Sequence, residues 1–208
     1  MRRLSLLLVL LLTAPAVARP AFLLALGDSI CAGGPILNGG PNVVDLLQTR
    51  RRGERFAVHN ACVGGYTTAN LKTLWEDHYR HKGYTHLLVC PIGTNDLASG
   101  TAAATIISNI SSVVSQALDD GLNVTACTIL PRKNGASYSP DLQDRLEDAN
   151  DGIRDLAPLG VTVVDMYAAM GDPLDAAALN SAYDTDGLHP NAAGHVHMAD
   201  TIDAAVPW

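Results

Sequence analysis

Five short strand-like runs recur along this chain, at residues 22–26, 55–59, 85–89, 122–130 and 161–165, each followed by a stretch with helical spacing. That alternation limits the fold more than any other feature. Strands joined by helical crossovers run parallel, and a parallel sheet needs helices over both faces. The first run, Phe22-Leu23-Leu24-Ala25-Leu26, is apolar at every position, as a strand buried on both faces must be. Gly27 then permits a sharp reversal into Asp28-Ser29. Helices are predicted over 42–52, over 67–80 (with Leu71, Leu74, Trp75 and His78 in phase), and over 101–120, where Ile106, Ile110, Val113, Val114 and Ala117 form one stripe ended by Gly121. A further helix carries Leu142, Leu146, Ala149, Ile153 and Leu156, and the last follows Pro190. The segments 31–41 and 171–189 read as loops. The predicted architecture is a single three-layer α/β/α domain around a mainly parallel five-stranded sheet, with no internal repeat or linker.

The N-terminus reads differently. Met1-Arg2-Arg3, the apolar run Leu4–Leu12 and the small residues Ala16-Val17-Ala18 make a secretory signal peptide over residues 1–18, too short for a membrane span. The paired arginines are compatible with Sec or twin-arginine export. The expected product is a secreted or periplasmic monomer spanning residues 19–208, without a stable membrane anchor. That segment holds 12 basic and 21 acidic side chains, a net charge of −9, which opposes nucleic acid and anionic lipid surfaces as partners. The tract Arg50-Arg51-Arg52 ends a predicted helix and reads as its solvated terminus.

Four cysteines in an exported chain point to disulfides. Cys31 and Cys62 each follow a strand, and their pairing is the expected bridge. Cys90 and Cys127 form a second candidate pair, against the alternative that they are buried free thiols. No pair has the spacing of a zinc knuckle.

Polar residues gather where the strands end. The first strand ends in Gly27-Asp28-Ser29, the second leads into Asn60–Thr67, and the third leads into Gly93-Thr94-Asn95-Asp96. Near the C-terminus stands Asp184-Thr185-Asp186-Gly187-Leu188-His189-Pro190. Ser29 alone reads better as a helix cap. The set as a whole has a chemistry. A serine hydroxyl needs a base, histidine is the usual one, and a carboxylate on its other nitrogen fixes the tautomer. Asp186 and His189 are spaced so that one turn brings them together. Backbone N–H groups at Ser29 and around Gly65, with the Asn95 carboxamide, offer donors for an oxyanion. The order Ser, Asp, His is that of the α/β-hydrolases, yet their Gly-x-Ser-x-Gly elbow is missing. Neither a dinucleotide fingerprint nor a P-loop is present.

These blocks resemble those of the SGNH hydrolases, also called GDSL-type esterases and lipases. Gly27-Asp28-Ser29-Ile30 is similar to the first block of that family, Asn60–Thr67 to the second, Gly93-Thr94-Asn95-Asp96 to the third, and Asp186-Gly187-Leu188-His189-Pro190 to the last. The resemblance implies a flavodoxin-like fold and hydrolysis of an ester through an acyl-enzyme, with no cofactor and no metal. It puts the nucleophile on Ser29, acid and base on Asp186 and His189, and oxyanion donors on Ser29, Asn95 and Gly65, with Gly64 as the alternative glycine. Cys31, Cys62 and Cys90-Pro91 are not required by the pattern.

Other readings stand beside these. Asp28 and Asp96 suit the bracing of turns. His195 and His197, with His189 and Asp184, are a conceivable metal set, although residues two apart on a helix diverge. Asn109 and Asn123 begin glycosylation sequons. The expected function is a secreted serine esterase acting on small acyl or lipid esters. The alternatives are a carbohydrate acetylesterase on an acetylated glycan and a secreted binding protein on the same fold. The few aromatics, 5% of the chain, and a core assignment for Trp75 favour small esters over long polysaccharides. Loops 31–41, 133–140 and 171–183 are expected to line the pocket.

Overall fold

A computed structural model of the chain describes residues 21–33 and 40–206. The signal peptide expected over 1–18 and part of the loop after Ser29 lie outside the described residues. The elements in chain order are β1 (Ala21–Leu26), α1 (Ser29–Ala32), α2 (Val43–Arg50), β2 (Phe56–Asn60), α3 (Thr68–Leu74), β3 (His86–Val89), α4 (Thr94–Ala98), α5 (Ala103–Asp119), β4 (Asn123–Cys127), α6 (Pro140–Arg154), β5 (Thr162–Val164), α7 (Met166–Met170), β6 (Gly171–Asp172), β7 (Asp175–Leu179) and α8 (Ala192–Ala205).

The five main strands form one sheet in the order β2-β1-β3-β4-β5, and every pairing is parallel. This is the flavodoxin-like order, whose direction of growth reverses between β1 and β3. A crevice opens there, outside the carboxyl ends of the strands.

Alternation along β1 and β3 divides the core. Leu24, Leu26, Leu87 and Val89 face Leu71, Trp75, Ile106, Ile110 and Leu146, under α3, α5 and α6. Leu23, Ala25, Leu88 and Cys90 face Val44, Leu47, Met198 and Ile202, under α2, α7 and α8. Both faces are covered, which is why β1 carries no polar residue. A core leucine such as Leu24, fully buried, is worth about 2–5 kcal/mol against alanine. Trp75 sits in this core as expected, its Nε1–H donating to Gln116 Oε1 at 3.2 Å.

Several expectations change in detail. Ser29–Ala32 form a helical turn rather than the start of a loop. The helix predicted over 67–80 is α3 followed by a π-helical segment, Trp75–Tyr79. The segment 171–189, read as loop, contains the antiparallel pair β6–β7. Arg50 and Arg51 end α2 as predicted, but they pair with Asp200 and Asp203 of α8 and tie the two helices together. No helix among the described residues is long and apolar enough to cross a membrane.

Candidate active site

The nucleophile candidate is positioned by the end of β1. Asp28 caps α1, its Oδ1 accepting the Ile30 N–H at 2.9 Å, and this sets Ser29 at the first position of the turn. Gly27 is needed for space rather than for reversal. A Cβ there would lie 2.9 Å from Cys90 Cβ, closer than side chains tolerate, and 3.1 Å from Cys31 Cβ, a contact that would force it to shift.

The last block forms a turn around carboxylates. Asp184 Oδ1 accepts the N–H groups of Asp186 and Gly187, at 3.0 and 2.6 Å. Asp186 Oδ1 accepts those of Leu188 and His189, at 3.1 and 2.8 Å. The His189 ring is thereby carried to Ser29. Its Nδ1 is 2.9 Å from Asp186 Oδ2, and its Nε2 is 3.0 Å from Ser29 Oγ. A carboxylate on Nδ1 holds the proton there, so Nε2 is left to accept from the Ser29 hydroxyl. Burial acts on the Asp186 carboxyl most strongly and would raise its pKa. The bonds from the His189 ring and the backbone together outweigh burial and hold it below the ordinary carboxylate range.

The second and third blocks are fastened to the first and to each other. Val63 N–H donates to Gly27 O at 3.1 Å. Asn95 Nδ2 donates to Tyr66 O at 2.9 Å, leaving its second amide hydrogen for another acceptor. Asp96 accepts both the N–H and the hydroxyl of Thr68, at 2.9 and 2.7 Å. Asp28 thus braces its own turn, as the sequence suggested, whereas the Asp96 carboxylate ties the third block to the start of α3. Asn109, the first sequon asparagine, donates to Thr68 Oγ1 at 3.1 Å and joins this network. Gly64 stands beside the nucleophile, its Cβ position 3.8 Å from Ser29 Cβ, while Gly65 has φ +80° and open space around it. Among the described residues, the N–H groups of Ser29 and Gly65 have no acceptor.

Other polar residues are engaged elsewhere. The histidine set proposed as a metal alternative is divided. His195 is buried, its Nδ1 accepting the Val43 N–H at 3.1 Å, and burial lowers its pKa to about 4. His197 Nε2 meets Ala169 O at 3.0 Å, and the ring stacks on Tyr183. Cys31 and Cys62 have Cα atoms 5.8 Å apart and sulfurs in contact, as a disulfide requires. The second candidate pair is corrected: Cys90 and Cys127 are buried free thiols. Cys90 directly follows β3 and Cys127 ends the neighbouring parallel strand β4, both within an apolar face, and burial pushes both thiols well up from their ordinary range. Sequence reasoning missed Arg132. It is 2% exposed and donates to Thr94 and Ala136 beneath the third block. A lone arginine after a proline carries no signal that would have found it.

The fold and the strand-end cluster define a class, that of ester-cleaving α/β enzymes built on a flavodoxin-like sheet. The chain belongs to the GDSL-like lipase/acylhydrolase family, whose model matches residues 25–196. It is 34% identical over 152 residues to an arylesterase of Vibrio mimicus, covering 69% of this chain and 72% of that protein. The crystal structure of TesA superposes with a TM-score of 0.71 at 23% identity, covering 89% of this chain and 98% of that one. A variant of an acetyl-xylooligosaccharide esterase from Geobacillus superposes with a TM-score of 0.74 at 19% identity, covering 90% and 94%. These relationships make the protein a carboxylic ester hydrolase with a small-molecule ester as substrate.

Proposed function

We propose that Ser29 is the nucleophile of an exported esterase acting on short-acyl esters, with His189 as general base and Asp186 as its orienting carboxylate. One observation carries this reading: the unbroken chain from Ser29 Oγ to His189 Nε2 at 3.0 Å and from His189 Nδ1 to Asp186 at 2.9 Å. Ser29 Oγ attacks the ester carbonyl carbon as its proton passes to Nε2. The carbonyl oxygen becomes an oxyanion, bound by the N–H groups of Ser29 and Gly65 and by the second amide hydrogen of Asn95. Collapse breaks the bond to the alcohol, which leaves with the proton from Nε2. Water then gives a proton to Nε2 as it attacks the acyl carbonyl carbon, and collapse breaks the bond to Ser29 Oγ, which takes that proton back from Nε2 as the acid is released.

The Vibrio relative is an arylesterase, which supports esters of phenols among the substrates, and the scarcity of aromatic residues supports small esters over long polysaccharides. The leader at 1–18 supports export, leaving a catalytic domain over 19–208. An oxidising destination fits a Cys31–Cys62 disulfide, which ties the nucleophile turn to the second block. A series of p-nitrophenyl esters from acetate to palmitate, run beside acetylated glycans, tests the reading. The acetate and butyrate esters should turn over fastest, and Ser29→Ala should lower kcat by at least about a thousandfold. A maximum at long chains would make the protein a lipase, and turnover confined to glycans would make it a carbohydrate acetylesterase.

A further inference from the structure

Arg132 is a buried charged side chain whose chemistry the site has not yet used. Its Nη1 donates to Thr94 O and Thr94 Oγ1, both at 2.6 Å, and its Nη2 donates to Ala136 O at 2.9 Å. Its Nε is buried with no partner, and among the described residues no carboxylate pairs with it. Burying a guanidinium without a carboxylate partner is costly, and its hydrogen bonds to Thr94 and Ala136 must offset that cost.

The two ends of this clamp serve different blocks. Thr94 is the residue before Asn95 and begins α4. Ala136 belongs to the turn after β4, closed by Gly135 N–H donating to Arg132 O at 2.9 Å. That turn packs backbone against backbone on the last block. A Cβ at Gly187, which has φ +82°, would lie 2.2 Å from Asn134 O, and one at Gly135 would lie 2.8 Å from Gly187 O. Gly187 stands between Asp186 and His189. A path of direct contacts therefore runs from Thr94 through the guanidinium to the 132–136 turn and on to the Asp186–His189 turn.

We propose that Arg132 is a positioning residue, a fork that sets Asn95 at a fixed distance from the Asp186–His189 turn so that oxyanion donor and base meet the same carbonyl. A lysine ammonium is a compact point charge on a flexible stem, whereas the rigid planar fork of arginine holds Thr94 and Ala136 in one fixed geometry. Bonds from a charged donor are also shorter and stronger than neutral ones, which suits a part that must not drift. The inference rests on the assignment of Asn95 proposed above, because Arg132 acts through it.

The test is a double-mutant cycle of Arg132 and Asn95 by steady-state kinetics on p-nitrophenyl acetate, with near-ultraviolet circular dichroism to establish folding. Arg132→Met should lower kcat about thirty- to a hundredfold with KM within threefold, since the interaction lost belongs to the transition state. Arg132→Lys should lose less, about three- to tenfold. In an Asn95→Ala background either change should cost less than threefold more. A folded Arg132→Met protein with kcat within threefold of wild type overturns the proposal. So does a loss that is equally large without Asn95. If Arg132→Met does not fold, Arg132→Lys with kcat within twofold overturns it. Failure of the underlying reading looks different: Asn95→Ala itself would then leave kcat unchanged.

Discussion

Asp96 takes both the backbone N–H and the hydroxyl of Thr68, at 2.9 and 2.7 Å, and so fastens the third strand-end block to the start of α3. Both residues are buried, Thr68 completely. Thr68→Val keeps the shape but leaves one carboxylate oxygen without its donor. Stability should fall by about 1.5–3 kcal/mol in urea unfolding. A fall under about 0.5 kcal/mol would show that this pair does not secure the block.

Asp28 and His195 should tilt stability with pH in opposite directions. Burial raises the Asp28 carboxyl to about 7, its N-cap bond from Ile30 opposes this, and the nearby Asp96 charge adds to it. Between the unfolded value near 4 and the folded value near 7, the folded chain holds a proton that the unfolded chain has released. Stability from this group therefore falls as pH rises through that window. His195 is the reverse. Its folded value is about 4, lowered first by burial, so the unfolded chain takes the proton first as pH falls below about 6.5. Stability from His195 is lost on acidification between those values. Asp28→Asn keeps the oxygen that caps Ile30 and removes the first slope. Its unfolding free energy in urea should match wild type near pH 4 and exceed it by roughly 2–4 kcal/mol at pH 8. A difference that does not change with pH would contradict the assignment.

The sulfur chemistry has its own test. Denatured without reductant, the protein should take up two alkyl groups, on Cys90 and Cys127, and four after reduction, by intact mass. A Cys31–Cys62 bridge would span a sequence separation of 31, so Cys31→Ser with Cys62→Ser should cost about 3–4 kcal/mol. Four alkyl groups without reduction would rule out the bridge.

Much of this was legible because local pattern and tertiary demand agree. The apolar run of β1 has to be buried on both faces, and the Ile106–Ala117 stripe of α5 has to face a sheet. The four polar blocks were legible because each follows a strand or precedes a helix, where chain direction alone brings them to one edge. What stayed hidden depends on contacts far apart in sequence. Gly27 is glycine because Cys90 and Cys31 crowd it. Strand β7, Asp175-Ala-Ala-Ala-Leu179, has no alternation or β-branched residue, so only pairing with β6 makes it a strand. The role of His195 was not legible either: it is a neutral acceptor for the first N–H of α2, a partner 152 residues away in sequence.

The central claim is that Ser29 is the one serine activated by a base and an oxyanion site. Intact-protein mass spectrometry after reaction with an organophosphonate, followed by peptide mapping, addresses it directly. A single adduct should form on the peptide containing Ser29, in step with loss of esterase activity, and Ser29→Ala should take up none. An adduct on any other residue, or esterase activity retained in Ser29→Ala, would contradict the account.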